Sequence, residues 1–369
     1  MFDSKIWAAV PFHFWSAVLF LFGTMVGSFL NVCIHRMPRG LSIVSPPSHC
    51  PHCGYSIPWY LNVPLVTWLW LRGKCANCSA KISARYFLVE LLTGLLFLGA
   101  WLAVGQRSAA VALVYCVLLA GFVVATFIDF EHFIIPDEIT LGGIVVGFIC
   151  SAIVPALHPD WLSWATPGHA EALKRSALGM AAGGGIVYAI LRLGKLLFGR
   201  QTFEFEQSSR IIFTETALLL PGQEVPYAEI FYRSGDRVEF EAERLEMVDR
   251  CYPTALVCVS PAELRLGDEV FKTEDVHHLE AMTNRITLPR EAMGLGDVKF
   301  MAAIGAFLGW QATLFSLMFS AVIGSIVGVS LILLRKQEWS SRLPYGPYIA
   351  LAAVAWIFGG KQLTAWWLR

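Results

Sequence analysis

Apolar runs long enough to cross a bilayer recur along this chain and constrain its fold more than any other feature. A run of about 18 or more apolar residues matches the hydrocarbon thickness of a membrane. Eight stand out, at roughly 13–34, 86–104, 109–128, 138–156, 176–198, 298–310, 312–334 and 345–367, the sixth being short. Of the 369 residues 56% are hydrophobic and only 15% are charged, an unusual balance for a soluble protein. The chain therefore reads as a polytopic α-helical membrane protein with about eight transmembrane helices. The first run lacks a basic segment before it and a small-residue cleavage site after it. Its end, Gly27-Ser28-Phe29-Leu30-Asn31-Val32, leads straight into structured sequence, so it reads as a retained helix.

The net charge is zero, but the charges are segregated. Residues 201–290 carry 17 acids and 9 bases, a net −8, which leaves +8 on the rest. Within this acidic block Phe203-Glu204-Phe205-Glu206 and Arg237-Val238-Glu239-Phe240-Glu241 alternate, as half-buried strands do. Pro221-Gly222 and Ser234-Gly235-Asp236 are turn signals. The block reads as an inserted β-rich module with one helix near 273–284. The expected organisation is a first transmembrane helix (1–34), a cytoplasmic four-cysteine domain (35–84), helices two to five (85–199), the inserted acidic domain (200–290) and helices six to eight (291–369).

Loop charge sets the expected orientation. Residues 35–84 contain Arg36, Arg39, Arg72, Lys74 and Lys81 and no acid, which places this loop in the cytoplasm. Eight crossings then put the 129–137 loop, the acidic module and the loop with Arg335, Lys336 and Arg342 on the same side. Lys174 and Arg175 run against this scheme, because they fall in an outer loop.

Four of the nine cysteines form two knuckles, Cys50-Pro51-His52-Cys53 and Cys75-Ala76-Asn77-Cys78. Two CxxC pairs suit a tetrahedral zinc site, and a closed shell of four thiolates marks a structural metal. His49 and His52 are alternative ligands. Reduced packing thiols and redox-active dithiols are the competing readings of the same residues. Cys33, Cys116 and Cys150 read as apolar packers. Cys251 and Cys258 lack metal-type spacing.

Two aspartates carry the candidate chemistry. Asp129 ends a long apolar run in Phe127-Ile128-Asp129, shortly before Ile135-Pro136-Asp137. Asp297 opens another run in Gly294-Leu295-Gly296-Asp297-Val298-Lys299. A carboxylate at a membrane edge is costly to desolvate and points to function. A pair of them forms an acid/base dyad able to activate water. A solvated helix-end charge is the plain alternative for each. Gly294 and Gly296 give room for a close backbone approach, and Lys299 reads either as a substrate contact or as a helix-end charge. Pro136 breaks any helix continuing from Asp129, which sets Asp137 apart from the dyad. Leu266-Gly267-Asp268-Glu269 mimics the Gly-Asp signature but lies in hydrophilic sequence. Glu90 reads as a partner of Arg85 in preference to a contact for a substrate amine. The glycines of 179–185 read as helix packing.

Taken in order, these motifs resemble the type IV prepilin peptidase family. The series runs from Gly27-Ser28-Phe29-Leu30-Asn31-Val32 through His35-Arg36-Met37-Pro38, both cysteine pairs enclosing Trp59-Tyr60-Leu61-Asn62-Val63-Pro64, Leu71-Arg72-Gly73-Lys74-Cys75, Arg85-Tyr86 and Val89-Glu90-Leu91. It ends with the two aspartate motifs and Pro344-Tyr345-Gly346-Pro347-Tyr348. The resemblance covers residues 15–150 and 290–350. It implies a bifunctional leader peptidase and N-methyltransferase of a multi-pass bacterial inner-membrane protein. It also implies an aspartic dyad of Asp129 and Asp297 facing the cytoplasm, prepilins and pseudopilins as substrates, and S-adenosylmethionine as methyl donor. No nucleic-acid partner is expected. The acidic insert departs from the short connection usual in this family.

Three other readings make different demands on the same residues. A peptidase without methyltransferase activity keeps the dyad alone. A membrane thiol–disulfide carrier uses the two CxxC pairs, which the basic, acid-free loop disfavours. A channel or assembly protein uses the aspartates to line an ion path.

Overall fold

The computed structural model describes residues 11–159, 165–198, 200–221, 223–231, 236–248, 250–276, 278–289, 294–334 and 343–360. In chain order the helices are α1 (Phe12–Arg36), α2 (Val66–Trp70), α3 (Ala84–Ala100, continued by a π turn, Trp101–Gly105), α4 (Ala109–His132), α5 (Asp137–Ile153), α6 (His169–Phe198), α7 (Tyr227–Ile230), α8 (Leu295–Leu333) and α9 (Gly346–Ala355, continued by a π turn, Trp356–Gly360). The chain divides into two compact units, one of Met1–Tyr188 with Leu295–Arg369 and one of Ala189–Gly294.

The first unit is helical. Ser83 caps α3 by accepting the N–H of Arg85, and Ser108 caps α4 by accepting that of Val111, which satisfies donors left open at a helix start. Five stretches among the described residues are long and apolar enough to cross a membrane: Phe12–Arg39, Ala84–Gly105, Ala109–His132, His169–Leu196 and Leu295–Leu333. α5 is 17 residues long, and α9 with its π turn spans Gly346–Gly360. Within the described residues both are shorter than those five stretches. The two runs expected at 298–310 and 312–334 form one element broken at Gly309, whose φ of 81° and ψ of 176° interrupt the helix. The break leaves the Ala306 carbonyl to accept hydroxyls from Ser151 at 3.1 Å and Ser176 at 2.8 Å. Ser151 also bonds His158 Nε2 at 2.8 Å. A buried carbonyl released by a kink is thereby satisfied by side chains.

Glycines permit the closest helix contacts. A Cβ on Gly27 would meet the Glu90 Cα at 2.7 Å, and one on Gly23 would meet the Gly94 Cα at 2.9 Å. This four-residue spacing lets α1 lie against α3 backbone to backbone. Gly179 and Gly183 do the same for α6 against α8, since Cβ atoms there would come within 2.1 Å of the Gly305 oxygen and 2.3 Å of the Met301 oxygen. Gly179 and Gly183 thus serve helix packing, as expected, while Gly185 meets nothing within 4 Å.

The second unit holds the strands β1 (Arg200–Phe213), β2 (Ala217–Leu220), β3 (Gln223–Pro226), β4 (Val238–Ala242), β5 (Arg244–Met247), β6 (Cys251–Tyr252), β7 (Ala255–Val259), β8 (Glu263–Leu266), β9 (Glu269–Lys272) and β10 (Leu279–Pro289). They pair antiparallel in the order β3-β2-β1-β10-β4-β7-β8-β9, with β5 joined to β10 and β6. The alternating residues point Val238, Phe240 and Ala242 into a core with Ile211, Leu218, Leu245, Leu264 and Ile286. The helix expected near 273–284 is instead a 3-10 turn at Thr273–Asp275 followed by β10. Leu279, Glu280, Ala281 and Met282 are good helix formers. Pairing with both β1 and β5 overrides that propensity and buries Leu279, Ala281 and Thr283 on one face. Arg200 and Pro289 are ladder partners, so the module begins and ends at one place. The turn at Ser234-Gly235, the residue Gly222, the basic loop with Arg335, Lys336 and Arg342, and the last apolar run beyond 360 lie outside the described residues.

Candidate active site and metal centre

Asp129 lies in the last turn of α4 and is 5% exposed. Its Oδ2 accepts the backbone N–H of Gly346, the first residue of α9, at 2.9 Å. Asp297 is the third residue of α8 and is 9% exposed. The neighbour of Gly346, Tyr345, has its phenol within electrostatic reach of Asp297 and 3.0 Å from the Ser320 hydroxyl. α9 packs against both α4 and α8. The Tyr345–Gly346 corner therefore lies where the helices that carry the two carboxylates meet.

Two further contacts bring the same helix faces together. The Phe122 and Phe300 rings meet edge to face at 5.6 Å. Phe122 lies seven residues before Asp129 and Phe300 three after Asp297, spacings that keep each ring on its aspartate's face. Ile135 fills the corner above them. A Cβ built on Gly296 would lie 3.5 Å from the Ile135 Cβ, and one on Gly346 would lie 3.0 Å from its Cδ1. At Gly296 an added methyl would make an ordinary contact, so the demand for glycine there is not one of space.

Lys299 Nζ bonds Asp137 Oδ1 at 2.6 Å. That ion pair ties the first turn of α8 to the first residue of α5 and occupies the ammonium. Gly294 lies just before α8. Asp268 sits in the β8–β9 hairpin turn beside Gly267, whose φ is +58°. A turn that needs a left-handed glycine accounts for that Gly-Asp pair. The expected Glu90–Arg85 pairing does not form. Arg85 pairs with Glu131, while Glu90 accepts the N–H of Leu65 at 2.8 Å. Gly346 escaped the sequence reading of the site because its contribution is a backbone N–H. The motif Pro344-Tyr345-Gly346-Pro347-Tyr348 was the available signal.

The four cysteines of the two knuckles converge, with all Sγ atoms within 4.8 Å of one another. Cys50 and Cys78 are 3.8 Å apart, and Cys53 and Cys75 are 4.0 Å apart. A tetrahedron with Zn–S bonds of about 2.3 Å has edges of about 3.8 Å, close to these two separations. The knuckles are built alike. Each is a short hairpin, closed by the bridge His49↔Ser56 or Lys74↔Lys81, with Gly54 N–H bonded to the Cys50 carbonyl and Ser79 N–H to that of Cys75. The N–H groups of Cys78 and Asn77 favour the Cys75 thiolate and bring its pKa down to about 7. All four cysteines are free thiols.

The Bacterial Peptidase A24 N-terminal domain matches residues 21–104, and the Type IV leader peptidase family matches 116–201 and 276–329. The unmatched stretch between the latter two lies within the β unit. A prepilin leader peptidase/N-methyltransferase of Aeromonas hydrophila is 29% identical over 97% of this chain and 95% of its own length. Proteins of the same description are similar in Myxococcus xanthus (29%, covering 97% and 78%) and Pseudomonas aeruginosa (25%, covering 95% and 92%). No solved structure matches the chain.

Proposed function

The chain belongs to the type IV leader peptidase family, and from that premise we propose that it cleaves the leader of type IV prepilin-like proteins and methylates the new N-terminus. Asp129 and Asp297 are the catalytic pair in this reading. The observation that supports it is the burial of both carboxylates on helices that meet at Phe122–Phe300 and at α9, whose Gly346 N–H bonds Asp129.

Two carboxyl groups at one site share a proton and titrate as a pair. The ionised member takes a proton from water, whose oxygen attacks the scissile carbonyl. The protonated member donates to the carbonyl oxygen as the tetrahedral species forms. Return of the first proton to the leaving amine completes hydrolysis, with no acyl-enzyme. The Gly346 N–H fixes the Asp129 carboxylate, and burial keeps bulk water from both acids. Lys299 and Asp137 position the start of α8 relative to α5.

A reading with eight crossings gives one placement. The halves of α8 on either side of Gly309, together with α5 and α9, complete the count begun by the longer helices. Both aspartates then face the cytoplasm of a bacterial inner-membrane protein, on the side of the acid-free basic loop. Prepilins and pseudopilins are the proposed substrates.

Cys50, Cys53, Cys75 and Cys78 are the proposed ligands of one structural zinc, on the strength of their sulfur separations. Bound zinc would hold the two hairpins together and leave no open position for water. S-adenosylmethionine is the donor implied for methyl transfer. Gly179 and Gly183 are committed to packing, and no residues are assigned to the donor.

The test is parallel measurement of leader cleavage and methyl transfer by the purified, membrane-reconstituted protein on a prepilin. Loss of prepilin cleavage in Asp129→Asn, with retained methylation of a pilin supplied already cleaved, supports the assignment. Cleavage by that variant at the wild-type rate removes it.

A further inference from the structure

The loop between α1 and α3 exposes an unusual set of aromatic and aliphatic side chains. Trp59 is 83% exposed and Trp70 82%, with Tyr60, Val63, Val66 and Leu69 also open. Val66, Leu69 and Trp70 share one face of α2 by their spacing of three and four. The opposite face is anchored, because Trp68 packs on Phe87 of α3 with ring centroids 5.2 Å apart.

This segment is fastened beside a membrane helix, not above its end. Glu90 lies six residues into α3, about 9 Å along its axis, and is 8% exposed. Its carboxylate accepts the Leu65 N–H at 2.8 Å. Leu65 has a φ of +62°, a strained conformation for a bulky residue that a fixed partner must sustain. The exposed aromatics are therefore held level with the first two turns of α3.

Tryptophan and tyrosine favour the boundary between acyl chains and headgroups, where the ring is dry and its polar edge is wet. The surrounding loop exposes Arg39, Arg72, Lys74 and Lys81, with no acid across 35–84, while Arg36 is buried and bonds the Ser42 and Pro46 carbonyls. A basic, aromatic surface at this depth complements anionic lipid headgroups. We propose that the Trp59–Trp70 segment is an interfacial anchor that seats the cysteine-bearing loop on the anionic bilayer surface. The inference rests on α1 and α3 crossing the membrane and is independent of the peptidase chemistry.

The experiment uses the full-length protein in lipid nanodiscs, with and without phosphatidylglycerol in phosphatidylcholine. Tryptophan fluorescence lost in Trp59→Phe/Trp70→Phe isolates these two rings from the remaining eleven of the 13 tryptophans, and both variants keep an apolar ring. The anchor predicts that a quencher attached near the headgroups removes most of this difference signal. A quencher at the bilayer centre removes little, and shallow quenching is greater with phosphatidylglycerol. Amide exchange across 59–71 is slowed in discs without any substrate. Absence of shallow quenching overturns the anchor, and equal quenching in both lipid mixtures overturns its preference for anionic lipid. Protection that arises only when a prepilin is added also overturns it and assigns the surface to substrate.

Discussion

Gly346→Ala tests whether α9 holds the active site. An alanine Cβ there would lie 2.8 Å from Asp129 Oδ2, 3.3 Å from its Cγ and 3.0 Å from Ile135 Cδ1. Ordinary contact begins near 3.4 Å, so the carboxylate must retreat by about 0.6 Å or α9 must shift. Either movement weakens the 2.9 Å bond from the Gly346 N–H. A misplacement of about 1 Å at a reacting group costs roughly 100-fold in rate. A fall in kcat of about 10- to 100-fold follows, with KM nearly unchanged. Overpacking of this kind costs about 1–3 kcal/mol in stability, which leaves a folded protein measurable by thermal unfolding. The control is Gly185→Ala in α6, where an added Cβ meets nothing within 4 Å and helix propensity improves by up to about 1 kcal/mol. Leader cleavage by reconstituted protein, followed as initial rates on a gel, is the assay. A folded Gly346→Ala protein with wild-type kcat would refute the role given to this corner.

Three further outcomes are expected. Lys299→Met and Asp137→Asn should each slow cleavage by a similar, modest factor, and the double variant should be no worse than either, because a partly exposed ion pair contributes about 0–1 kcal/mol; a much larger loss for Lys299→Met alone would make the lysine a substrate contact. Metal analysis of the purified protein should find about one zinc per chain by the four-thiolate count. Serine at all of Cys50, Cys53, Cys75 and Cys78 should abolish it, and unchanged zinc would reject the site. Replacing 203–288 by a short Gly/Ser linker should leave a folded peptidase, since antiparallel ladder partners such as Arg200 and Pro289 lie only about 5 Å apart. If the −8 module steers basic leaders, the wild-type rate should fall more steeply with salt than that of the deletion. Complete loss of cleavage in a stably folded deletion would put the module in the active site.

The sequence exposed what depends on residue type and spacing. Apolar runs announced the helices, alternation at Val238–Ala242 announced β4, and paired CxxC spacing announced the sulfur cluster. Contacts made by the backbone were hidden. Gly346 acts through its N–H, and Leu65 is held by Glu90 through its own. Arg85 was expected to reach Glu90 five residues away but pairs with Glu131 on α4, because packing of α3 against α4 brings distant charges closer than local ones. β10 shows the opposite limit, where a locally helical sequence is drawn into a sheet by partners on both sides. The break at Gly309 left the apolar pattern almost uninterrupted, so hydropathy alone could not give its geometry.

Leader cleavage of a co-expressed prepilin by Asp297→Asn and Asp129→Asn, with Asp268→Asn as the hairpin-turn control, tests the central claim most directly. The dyad predicts no cleaved product from either of the first two at wild-type membrane levels, and normal cleavage from the third. Substantial cleavage by Asp297→Asn or Asp129→Asn would contradict it.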